Sequence, residues 1–144
     1  MTSEADPAHL LRHSARAGVH HLSAADAKAV EAAAAGLGYA VFHVDLDGCA
    51  DKAALLARIG VALHFPDWFG HNWDALADCL ADMSWRPAPG YVIFLDHAAH
   101  LPGAVAAELA IVLDIFADAA RELTRDARPM WIFVDAGAAG SLGP

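Results

Sequence analysis

The chain has 144 residues, 57% of them in the hydrophobic set AVILMFWYC and 19% charged, enough apolar material for the core of one compact domain without a disulfide scaffold. Nine Lys and Arg against eighteen Asp and Glu leave a net charge of −9 with histidine neutral. A balance this acidic argues against a nucleic-acid backbone or an anionic membrane as the partner and favours a cationic one.

Residues 1–17 are polar and mixed in charge, lack the basic start, apolar stretch and cleavage site of a secretory signal, and are expected to be loosely held. GVHHL at 18–22 fits an edge strand. Ser23 suits the N-cap of an alanine-rich helix over 24–35, with Gly36 and Gly38 as stop signals. YAVFHVDL at 39–46 is β-branched and aromatic enough for a strand, with His43 half buried in it. Residues 51–63 return to helical spacing through Leu55, Leu56, Ile59 and Leu63. After Phe65 and Pro66 a second helix is expected from about 70 to 83, then a loop through Pro87 and Pro89.

GYVIFLD at 90–96 is almost continuously apolar, as suits a strand covered on both faces. Pro102 and Gly103 open a long helix to about Thr124, RPMWIFVDAG at 128–137 supplies a last strand, and 138–144 reads as a flexible tail. The alternation implies an α/β fold in a single domain over 18–137. Its centre is a three-stranded parallel sheet with right-handed helical crossovers, extended by the N-terminal helix and the extra edge strand. No apolar run reaches the roughly 18 residues of a membrane-spanning helix. Cys49 and Cys79 stand outside any Cys-x-x-Cys pattern and read as buried free thiols, which makes the cytoplasm the expected location.

On a helix over 70–83, Phe69, Trp73, Leu76, Leu80 and Met83 form a core-facing stripe, and His71, Asp74, Asp78 and Asp82 fall opposite. Aspartates at successive i, i+4 spacings destabilise a helix by about 0.2–0.5 kcal/mol per pair, and no Lys or Arg lies between Gly60 and Trp85 to offset them. An ordinary solvated face is the plain explanation of such a run. A second acidic series, Asp114, Asp118 and Glu122, lies opposite the buried stripe of the long helix, where Arg121 and Arg125 can neutralise neighbours.

The segment FPDWFGHNWDALADCL, 65–80, resembles the barstar family of ribonuclease inhibitors, with Pro66, Phe69, Gly70, Asn72, Asp74, Ala75, Leu76, Asp78, Cys79 and Leu80 meeting its pattern in order. The likeness extends more loosely from 39 to 134. It implies a protein that plugs the active site of a barnase-type ribonuclease, its acidic helix and preceding loop standing where RNA phosphates would. The resemblance places Asp74 and Asp78 against the ribonuclease's cations, with Asp78 as anchor. Trp68 takes the position of a contact aromatic, Gly70 and Asn72 shape the loop, and Asp118 and Glu122 fall on two outlying acidic contact positions. The chain departs from the pattern at Ala77, where the family has a contact tryptophan, at His71, where it has an acidic residue, and in the longer loop after Asp82. The implied partner is a basic extracellular-type ribonuclease or related toxin, and the inhibitor is expected to be monomeric when free, to need no cofactor or metal, and to bind neither nucleic acid nor membrane.

Two other classes compete. An enzyme would need a metal or acid–base site, but His71 and Asp74, an i, i+3 pair on the expected helix, have no third ligand at supporting spacing. No phosphate loop or nucleophile elbow appears. The other alternative is an interaction or regulatory protein that has kept the fold and lost nuclease binding, since a fold alone does not fix a function.

Overall fold

A computed structural model describes residues 7–67 and 69–135. Four parallel strands, β1 (Gly18–Leu22), β2 (Ala40–Asp45), β3 (Tyr91–Asp96) and β4 (Met130–Asp135), pair in the order β1-β4-β3-β2. Helix α1 (Ala24–Gly36) joins β1 to β2, α2 (Lys52–Ala62) and α3 (Trp73–Asp82) join β2 to β3, and α4 (Gly103–Arg125) joins β3 to β4. The expected three-stranded sheet gains the expected edge strand as its fourth member, 18–22 joining β4 in parallel register, Gly18 opposite Trp131 and Leu22 opposite Asp135.

The two central strands are apolar at every position but the last because both faces of the sheet are covered. Alternate residues serve two separate cores. Phe42, Val44, Tyr91, Ile93, Leu95, Met130 and Ile132 face the layer of α2, α3 and α4, packing with Leu55, Ile59, Leu76, Leu80, Val112 and Phe116. Val92, Phe94, Trp131 and Phe133 face the other way, against Leu22, Val30 and Ala34. Edge strand β2 alternates as a half-covered strand does, with Ala40, Phe42 and Val44 buried and His43 and Asp45 exposed. Cys49 and Cys79 are buried free thiols.

The expectation that residues 1–17 are loosely held is corrected for the part described. Pro7–Arg12 and Ser14–Arg16 form short 3-10 helices, and Leu10 and Leu11 are buried in the second core against α1. They join α1 over the far face of the sheet, in one cluster with Val92, Phe94, Trp131 and Phe133. Residues 1–6 and the expected tail, 138–144, lie outside the described residues.

The helix boundaries follow from capping. Ser23 and Asp51 accept from the amides of Asp26 and Ala54 at the starts of α1 and α2. The helix expected from about 70 begins instead at Trp73. His71 has a left-handed backbone (φ 55°), and Asn72 is extended and caps the helix through its side chain. His71 therefore stands in the loop, and the helical pairing of His71 with Asp74 does not exist.

Candidate protein-binding site

The site is assembled at the start of α3. Asn72 Oδ1 accepts from the Ala75 amide at 2.8 Å, and its Nδ2 reaches back to the Gly70 carbonyl at 3.5 Å. One side chain thus fixes both the helix start and the turn before it. The loop is braced from behind by an aromatic chain in which Phe65 meets Phe69 edge-on at 4.9 Å and Trp85 at 5.7 Å, and Phe69 meets His71 at 4.6 Å. Trp85 donates from Nε1 to the Leu63 carbonyl at 3.3 Å, so it is a half-buried support of the loop.

Helix α3 is held by Leu76, Cys79 and Leu80, all buried, which leaves Asp74, Asp78 and Asp82 exposed along the other side. Successive members stand one turn apart, roughly 6 Å along the axis. Asp74, in the first turn, lies at the positive end of the helix dipole. Asp82, at the negative end, accepts from the Ser84 hydroxyl at 3.0 Å, while Arg128 donates to the Asp82 carbonyl at 3.0 Å. Among the described residues neither Asp74 nor Asp78 forms an ion pair or a side-chain hydrogen bond. Burial pushes the Cys79 thiol up to about 11, and the charges of Asp78 and Asp82 add to it, so Cys79 packs as a neutral group beneath the stripe.

Gly70, Asn72, Asp74 and Asp78 are therefore brought together on one loop and helix. Asp118 and Glu122 are exposed on α4, which packs against α3, but no hydrogen bond or ion pair joins them to the α3 stripe among the described residues. Asp118 is tied to Arg121 one turn away, whereas Glu122 has no such partner among the described residues. Trp68 lies outside the described residues. Sequence reasoning missed Lys52, whose ammonium sits over the Trp73 ring at 4.5 Å, and Arg128 at the end of α3. Both come from outside the 60–85 window, and no local signal announces either.

A rigid surface with two unpaired carboxylates one turn apart can take the place of successive phosphates in a cationic cleft. The model of one protein family, described as Barstar (barnase inhibitor), matches residues 39–135. The chain belongs to the barstar family. No curated protein and no solved structure matches it. The barstar match begins at Tyr39, so β1, α1 and the two 3-10 helices before β1 lie outside it. Barstar family members are inhibitors of barnase-type ribonucleases, and the matched segment contains the capped helix, its loop and all three α3 aspartates.

Proposed function

We propose that the protein inhibits a barnase-type ribonuclease or a related basic toxin, protecting the cytoplasm of its producer by blocking the cationic active site with α3 and the loop before it. The observation that carries this is the state of Asp74 and Asp78. They project from a helix anchored in the core, they repel one another, and nothing among the described residues neutralises them. A ribonuclease cleft is lined with cations that hold phosphates and stabilise developing charge, and carboxylates satisfy those cations without offering a scissile bond. Asp78 is the anchor, Asp74, Asn72 and Gly70 flank it, and Trp68, Asp118 and Glu122 extend the contact. The net charge of −9 steers a basic partner into place and makes association salt-sensitive.

The departures at Ala77 and His71, together with the Arg121 partner of Asp118, support the alternative of a barstar-fold interaction protein that no longer binds a nuclease. Immobilised wild type and Asp78→Ala, exposed at low salt to basic ribonucleases purified from the source, separate the two. Retention by wild type, release by salt and loss in the variant support inhibition. Equal retention by both removes the acidic stripe from the interface and leaves the interaction protein.

A further inference from the structure

Beside the loop that precedes α3 runs a groove of about 330 Å³ that the acidic stripe does not use. Ala57 and Val61, on the last turns of α2, line it together with His64, Pro66, Asp67 and His71 of the following loop. Val61 is 77% exposed, the most exposed large hydrophobic side chain among the described residues. Asp67 is exposed and forms no ion pair or side-chain hydrogen bond among them. Aliphatic side chains and an unneutralised carboxylate lining one groove match the two halves of a long basic side chain, an apolar stem and a charged head. A purely apolar occupant would cover Asp67 without compensating its charge, and an acidic one would be repelled by it.

The groove is continuous with the candidate interface. His71 lines it and stands between Gly70 and Asn72, both part of the loop and helix cap at the start of α3. Phe69, packed beneath, holds this loop against α2 at Gly60. We propose that the groove receives one arginine or lysine side chain of the same cationic partner, from outside its active site, so that Val61 and Asp67 set which basic ribonuclease is accepted. This inference rests on the inhibitor reading of α3.

The test is a ¹H–¹⁵N NMR titration of the full chain with N-acetyl-argininamide and with its neutral isostere N-acetyl-citrullinamide. The arginine probe is expected to shift the amides of Val61, His64 and His71 and to bind about threefold more tightly than the citrulline probe, as suits an exposed ion pair. Val61→Arg, a change on a solvent-facing position, should abolish these shifts while keeping those at Asp74 and Asp78. Asp67→Asn should remove the preference for the charged probe. Shifts confined to Asp74 and Asp78 would overturn the groove and leave the acidic helix standing. Equal response to both probes would overturn the choice of a basic occupant. Against the ribonuclease that the wild type inhibits, Val61→Arg should raise Kd about tenfold. An unchanged Kd there would overturn the proposal, whereas a wild type that inhibits no ribonuclease would overturn the reading on which it rests.

Discussion

Phe69 closes onto Gly60 so tightly that a β-carbon at position 60 would stand 3.0 Å from two of its ring carbons. The glycine sits in the last turn of α2, where it still costs helix stability, and its return is the seating of the loop that leads into α3. Gly60→Ala is expected to displace Phe69 and with it Gly70 and Asn72, at a cost of about 1–3 kcal/mol from overpacking. Denaturant unfolding and partner affinity should both fall. An alanine variant with wild-type stability and affinity would show that the loop is not seated through this contact.

Asp78 stands one turn from an aspartate on each side, so its removal relieves two repulsive pairs. Asp78→Ala should leave the chain as stable as wild type or more stable by about 0.2–0.5 kcal/mol per pair. The same change should cost about 3–5 kcal/mol of binding if it strands the partner's cations in a desolvated cleft. Paired urea melts and Kd measurements check the opposite signs. A variant that loses stability and affinity together would mean that Asp78 serves the fold.

His43 lies between two carboxylates, with Nδ1 2.8 Å from Asp96 and Nε2 3.0 Å from Glu31, and its ring stacks on Phe94 at 4.8 Å. Only the doubly protonated ring donates to both. Partial burial pulls its pKa down, but the hydrogen bonds and charges of Glu31 and Asp96 outweigh that and raise it. A raised folded-state pKa adds stability that is fully present below about 6.5 and is lost as pH rises through the raised value. His97, raised by its hydrogen bond to Asp45, adds a slope of the same sign. Thermal melts from pH 6 upward should therefore show falling stability. His43→Gln should flatten part of the slope, and the further change His97→Asn should flatten more. A slope unchanged in the double variant would refute the assignment.

The 3-10 helices of residues 7–16 and helix α1 cover one sheet face, β1 forms the sheet edge beside β4, and the family match includes none of them. Deleting residues 1–38 would strip β1 from the edge of β4 and uncover Val92, Phe94, Trp131 and Phe133, a contiguous apolar face. The truncated chain is expected to bind a hydrophobic dye, to melt at lower temperature and to aggregate. Leu11→Ala, at a buried site, should cost about 2–5 kcal/mol in the full chain. A truncated chain as soluble and stable as the whole would show that this layer is dispensable to the fold.

The strands and long helices are legible because period-2 and period-3.6 patterns survive in this alanine-rich chain, Asp74 and Asp78 stand out by their spacing, and Asn72 only by the family resemblance. What was not legible depends on distant partners. Leu10 and Leu11 look unremarkable in a polar segment, and their burial follows from an aromatic sheet face built more than eighty residues later. The spacing carries α3 back to about residue 70 because Phe69 and His71 extend its apolar and polar stripes, whereas the left-handed His71 and the Asn72 cap start the helix only at Trp73. The bridging of Glu31, His43 and Asp96 joins an element outside the family match to two strands inside it, a relationship no local pattern contains.

The most direct test of the central claim is a titration of wild type and Asp78→Ala into barnase-type ribonucleases assayed on RNA, at low and at high salt. Wild type should abolish activity at one inhibitor per enzyme, with association slowed by salt, and Asp78→Ala should require a large excess. Full ribonuclease activity in the presence of excess wild type, or equal inhibition by both proteins, would contradict an inhibitor that works through its acidic helix.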